Sequence, residues 1–141
     1  MKIAIAADHG GFELKQHLIK YLSASGHSVA DFGTDNNESV DYPIYSTKVT
    51  DAVLANECEL GILACGTGIG MSLAANKVAG IRAAVCNDIF SARMARAHND
   101  ANILCIGARV IGVSLAEVII DEFLETAFEG GRHAERIGMF K

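Results

Sequence analysis

The sequence has no surplus of positive charge. Lysine and arginine number 12 against 17 aspartates and glutamates, for a formal net charge of −5. Nothing in that balance draws the chain to nucleic acid or to an anionic membrane. No apolar run approaches the length of a membrane span. Met1-Lys2-Ile3-Ala4-Ile5 looks like a signal's apolar core for only a few residues before Asp8 interrupts it. Internal repeats and low-complexity segments are missing too. The four cysteines, Cys58, Cys65, Cys86 and Cys105, fit no metal-ligand spacing, and three fall in apolar runs. That usage suits a reduced, cytoplasmic protein better than a disulfide framework. What the chain does have is apolar mass: half of its 141 residues are hydrophobic. A chain of this length forms one domain, 1–141, and buries about two-thirds of its unfolded surface.

The apolar residues come in short runs separated by helical patterns. Residues 2–7, 28–32, 60–65, 81–86 and 103–106 read as strands. After the first, Leu14, Leu18 and Leu22 recur every four residues, widened by Phe12 and Ile19, up to a stop at Gly26. Residues 33–41 form a polar loop, and Asp41-Tyr42-Pro43 opens a second helix with the proline in its first turn. Further helices are predicted from Met71 to Val78, over 89–97, and from Ser114 to about Phe128. The last of these has a capping-box spacing, Ser114 with Glu117, and Ala116, Ile119, Ile120, Phe123 and Ala127 on its buried face. A final helical piece holds Arg132 and Arg136. Strands alternating with helices indicate an α/β fold, a three-layer α/β/α sandwich around a five-stranded parallel sheet, Rossmann-like in outline. Sites in such sheets lie beyond the carboxyl ends of the strands, where strand order reverses. The loops after the first and third strands, Asp8-His9 and Cys65 to Gly70, are the candidates to meet there.

Leu60 to Asn76, LGILACGTGIGMSLAAN, concentrates the chemistry. A buried strand runs into Gly66-Thr67-Gly68-Ile69-Gly70 and then into a helix, so unpaired backbone N–H groups gather around one point. As a dinucleotide fingerprint the loop fails. The third small residue would fall at Met71, and the loop follows the third strand, although Asp88 lies about 20 residues on. No lysine closes it as in a phosphate-binding P-loop. Glycines at alternate positions do remove the Cβ atoms that would block backbone donors, so the loop reads as an anion site. Cys65, at a strand end beside a helix N-terminus, sits where a thiolate is favoured, as nucleophile or as general base. Cys86 and Cys105 read as small buried hydrophobes.

His9, between Asp8 and two glycines, reads as a site residue, whereas His17, His27 and His133 read as solvated. His98-Asn99-Asp100 stands ahead of the fifth strand, at the amino edge of the sheet. That is the wrong edge for a site in the same subunit, so a catalytic His98 implies a homodimer with shared sites. Arg132 and Arg136, at i and i+4, repel each other unless an anion lies between them. Two guanidinium forks on one phosphate explain the spacing, with Arg109 as a third.

Taken together, Asp8-His9-Gly10-Gly11, Asp41-Tyr42-Pro43, Cys65-Gly-Thr-Gly-Ile-Gly, Ala74-Ala75-Asn76-Lys77, Gly80-Ile81-Arg82, His98-Asn99-Asp100, Gly107-Ala108-Arg109-Val110 and Glu129-Gly-Gly-Arg132-His133 resemble ribose-5-phosphate isomerase type B, in order and over the whole chain. The resemblance implies an isomerase of ribose 5-phosphate and ribulose 5-phosphate that uses no metal or organic cofactor and acts as a homodimer or a tetramer. It implies Cys65 as the base that moves a proton between C1 and C2, Thr67 assisting, and the N–H groups of Gly66, Thr67, Gly68, Ile69 and Gly70 around the enediolate. His98 would open the furanose ring. Asp8, His9, Asn99 and Tyr42 would hold the sugar, and Arg109, Arg132 and Arg136 its phosphate. Relatives that lack the cysteine use a glutamate at the position of Met71, so this chain is of the cysteine type. Isomerases of allose or galactose 6-phosphate share the scaffold and are the nearest rivals. A non-enzymatic nucleotide-binding module is the remaining one.

Overall fold

In the computed structural model, which describes residues 1–140, the elements run β1 (Lys2–Ala7), α1 (Phe12–Ala24), β2 (Ser28–Asp31), α2 (Tyr42–Leu54), β3 (Leu60–Cys65), α3 (Ile69–Ala75), β4 (Ala83–Val85), α4 (Ile89–Ala97), β5 (Ile103–Gly107), α5 (Val113–Glu125) and α6 (Arg132–Ile137). The strands pair in parallel in the order β2-β1-β3-β5-β4. Right-handed crossovers then dictate which face each helix covers. The chain moves one way from β1 to β2 and from β4 to β5, so α1 and α4 share a face, joined by α5. It moves the other way into β3 and β4, so α2 and α3 take the opposite face. The core divides accordingly. Ile3, Ile5, Leu60, Ile62, Leu104 and Ile106 meet α1, α4 and α5, while Ala4, Ala6, Leu63, Cys65, Ile103 and Cys105 meet α2 and α3. The α2 face is lined by small residues because that helix lies close: a Cβ at Gly61 would come 2.5 Å from Val49 Cγ1.

Local signals explain most element ends. α1 closes in a Schellman turn, with the His27 N–H donating to Leu22 O and the Gly26 N–H to Ser23 O, and Gly26 takes a positive φ of 92°. Pro43 sits in the first turn of α2. Several element bounds differ from the sequence reading. β2 stops at Asp31, one residue early, as the chain bends toward Gly33. β4 covers only 83–85, because Ile81 turns back onto Val78 O and the Arg82 N–H is taken by Asn102 Oδ1. α3 ends at Ala75, where Asn76 leaves the helix and bonds the backbone of Ala83 through both amide atoms, covering the sheet's edge. α5 starts at Val113 with Gly112 as its N-cap, so Ser114 lies inside the helix and caps nothing. It ends at Glu125, leaving Ala127 exposed. Among the described residues no helix is long and apolar enough to cross a membrane.

Candidate active site

Strand order reverses between β1 and β3, and the loops after those two strands meet there as expected. The Asp8 N–H donates to Ala64 O (3.2 Å), and a Cβ at Gly10 would lie 3.2 Å from Gly66 N. The loop after β5 joins them, with the Ala108 N–H on Cys65 O (2.8 Å) and the Arg109 N–H on Gly66 O (3.0 Å). Gly107 permits this contact, since a Cβ there would come 2.7 Å from Thr67 O.

Cys65 ends β3 with its side chain on the α2/α3 face, 5% exposed. The Gly68 N–H donates to its Sγ at 3.1 Å, from a residue with φ of 82° that glycine adopts freely. The Ile69 N–H donates to Thr67 Oγ1 at 3.2 Å, which leaves the Thr67 hydroxyl proton free for another acceptor. The loop's five amides are therefore not equivalent. Those of Gly68 and Ile69 serve Cys65 and Thr67, whereas those of Gly66, Thr67 and Gly70 donate to no protein group among the described residues.

Asp8 is buried, and its Oδ1 accepts from the N–H groups of Gly10 (2.8 Å) and Gly11 (3.2 Å). Oδ2 has no hydrogen-bond partner among the described residues. His9 Nδ1 accepts from the Val40 N–H at 3.1 Å, so its Nε2 carries the proton and is a donor. This gives the 33–41 loop a task that the sequence did not reveal. The Tyr42 ring, at the first turn of α2, covers Gly70, where a Cβ would come 2.8 Å from Tyr42 Cζ. The Arg109 side chain lies over Gly66, at 3.4 Å from a Cβ built there. Burial pushes the Cys86 thiol up to about 11 and the Cys105 thiol well above its usual value, consistent with both acting as packing residues.

The remaining candidates are elsewhere. His98 is the C-cap of α4, at the amino end of β5, and Asn99 follows it exposed. Cys65 pairs with Gly107 at the other end of that strand. The length of β5, about 13 Å for its five residues, separates the two. Arg132 and Arg136 belong to His98's edge, because His133 between them stacks on His98 with ring centroids 4.1 Å apart and planes at 10°. Both arginines are exposed, and neither meets a carboxylate among the described residues. One chain thus brings Cys65, Thr67, Asp8, His9, Tyr42 and Arg109 together and holds His98, Asn99, Arg132 and Arg136 apart from them. A groove of about 930 Å³ at the amino edge, between Asn76–Ala84 and the end of α6, has Asn99 on its wall and does not include Cys65.

Of the histidines expected to be solvated, His133 is not, and the other two are only partly covered. His17 is half-buried against Glu117 (2.6 Å), His27 is half-buried, and His133 is buried at 8% exposure. Burial, with His98 and Arg132 close by, holds His133 below its ordinary pKa. The i, i+4 spacing of Glu129 and His133 was the available sequence signal, hidden between two arginines with an evident role of their own. His98, Glu129 and His133 offer three ligand atoms within 4.8 Å of one another. Imidazole lone pairs lie in the ring plane, however, and near-parallel stacked rings cannot both aim at one ion without splaying.

Comparison with known proteins follows the same outline. Residues 3–140 match the family model described as Ribose/Galactose Isomerase. Ribose-5-phosphate isomerase B of Escherichia coli (strain K12) is 49% identical over 136 residues, spanning 96% of this chain and 91% of that protein. The structure of Clostridium thermocellum ribose-5-phosphate isomerase B superposes with a TM-score of 0.97 at 56% identity, over 98% of this chain and 93% of the other. That of the Mycoplasma genitalium enzyme with bound ribulose-5-phosphate gives 0.94 at 42% identity, over 97% and 91%.

Proposed function

The chain belongs to the ribose/galactose isomerase family, and on that footing we propose that it interconverts D-ribose 5-phosphate and D-ribulose 5-phosphate through an enediolate, in sites shared by two copies of the chain. The observation that carries the reading is the Cys65 thiol at the sheet's reversal point, with amides, a carboxylate, an imidazole and a guanidinium around it.

His98 of one copy takes the O1 proton of the furanose and gives a proton to the ring oxygen as the C1–O bond breaks. Cys65 of the other copy, as thiolate, removes the C2 proton of the open aldose. The electron pair moves through the C1–C2 bond onto O1, and the proton returns at C1 while O2 loses its own. A base in place for a proton alpha to a carbonyl contributes about 10²–10⁴ in rate. Negative charge on the enediolate oxygens falls to the free amides of Gly66, Thr67 and Gly70. One such donor is worth about 3–4 kcal/mol where it has been removed from an oxyanion hole. The Thr67 hydroxyl passes a proton between O1 and O2 in this reading, its oxygen already accepting from the Ile69 N–H. Asp8 Oδ2 and the His9 Nε2–H take sugar hydroxyls, with Asn99 and Tyr42 beside them. Arg109, Arg132 and Arg136 hold the phosphate, and that remote binding energy orients the reacting carbons.

The separation of the edges supports the dimer in this reading, since no conformer of the His98 side chain spans the length of β5. Four buried, unpaired thiols fit a reducing cytoplasm. A turnover assay with ribose 5-phosphate beside allose 6-phosphate and galactose 6-phosphate tests the proposal. Turnover of ribose 5-phosphate is expected to be fastest. Preference for a six-carbon substrate overturns the substrate assignment, and no turnover of any overturns the function.

A further inference from the structure

We propose that Glu129 and His133 are positioning residues for His98, and that they serve the opening of the sugar ring and not the transfer of the proton between C1 and C2. The inference rests on the reading that His98 opens the furanose.

An imidazole on a helix C-cap is free about two side-chain torsions, and His98 is 38% exposed. Two contacts remove that freedom. His133 lies flat against it, at 4.1 Å between centroids, and is itself buried, so the plane of one ring dictates the plane of the other. Glu129 is tied to the end of α4 by its own backbone, with its N–H donating to Ala97 O at 3.0 Å. Its Oε1 lies 3.5 Å from His133 Nε2 and 3.8 Å from His98 Nε2. Gly130 and Gly131, at φ of 71° and 57°, turn the chain so that α6 returns His133 over that carboxylate.

The chemistry matches. When His98 takes the O1 proton it becomes an imidazolium, and Glu129 is the carboxylate facing it. Burial, with His98, Arg132 and Arg136 nearby, holds His133 below its ordinary pKa against the opposing pull of Glu129, which disfavours its competing for the proton. Within one chain the Cys65 loop lies a strand's length from both residues, and their side chains meet His98.

Ribulose 5-phosphate separates the two steps, because its C2 ketone could form a five-membered ring only through O5, which is esterified. Deuterium wash-in at its C1 therefore reports enediolate chemistry alone, whereas turnover of ribose 5-phosphate requires the ring to open. In Glu129→Gln and His133→Ala, kcat/KM for ribose 5-phosphate is expected to fall about ten-fold or more. Wash-in, followed by NMR in D₂O, should stay within about two-fold of wild type. His133→Phe, which restores a flat ring, should recover most of the loss in His133→Ala. Equal losses in both measurements, or no loss in either, would overturn the inference. A wild-type chain that neither turns over ribose 5-phosphate nor exchanges ribulose 5-phosphate overturns the proposed function, and the inference with it.

Discussion

At the carboxyl edge of the sheet the groups around Cys65 are placed by main chain. Gly68 N–H holds the sulfur, Val40 N–H fixes His9, the Gly10 and Gly11 amides fix Asp8, and Ala108 and Arg109 amides tie the β5 loop to β3. At the amino edge the corresponding work is done by side chains: a ring stacked on a ring, one carboxylate facing both, and two exposed arginines on a short helix. The contrast fits the tasks proposed for each. Developing charge on an enediolate calls for donors that do not reorganise, which backbone amides provide. Gripping a phosphate and moving ring protons calls for long or titratable side chains, which in the proposed dimer reach across a boundary between two copies.

The contrast can be broken at either end. Replacing the sulfur should have the largest effect: Cys65→Ser is expected to cost about 10²–10⁴ in kcat for ribose 5-phosphate. It should abolish wash-in as well and leave binding largely intact, and turnover near wild type would remove the base assignment. Arg132→Ala acts at the other edge and should raise KM about ten-fold, with a smaller change in kcat; an unchanged KM argues against a phosphate contact. The smallest effect expected concerns stability. His133 has a lowered pKa in the folded protein, so on acidification the unfolded chain accepts a proton that the folded one refuses. Stability should therefore decline as pH falls through His133's unfolded value, near 6.5, toward its lower folded value. Urea unfolding between neutral and mildly acid pH should show a shallower decline in His133→Asn than in wild type. Parallel declines would show that His133 is not the group responsible.

The carboxyl edge was the more legible half in sequence. Glycine spacing and strand-ending polar residues are local signals, and the loops they single out, Asp8-His9 and 65–70, do meet at that edge. Within that loop the sequence could not show that two of five amides are already engaged, since this depends on where Sγ and Oγ1 point. The amino edge depends on contacts distant in sequence. His133 looked solvated because its partners, His98 and the end of α4, come from another part of the chain. β4 proved shorter than its apolar run, and α3 begins earlier, at Ile69, and ends earlier, at Ala75. Asn102 and Asn76 take backbone partners where these runs were expected to continue, a competition that hydrophobic pattern does not encode. The missing cap on α5 has a similar cause, Gly112 starting the helix two residues before Ser114.

The central claim, that one site takes Cys65 from one copy and His98 from another, is tested most directly by a purified heterodimer of Cys65→Ser and His98→Ala chains carrying different tags. With shared sites, one of the two places in each heterodimer combines an intact Cys65 with an intact His98, and about half of the wild-type activity should return. The other place carries both substitutions. If each chain completes its own site, every site in the heterodimer lacks one group, and activity no higher than that of the His98→Ala homodimer would contradict the account.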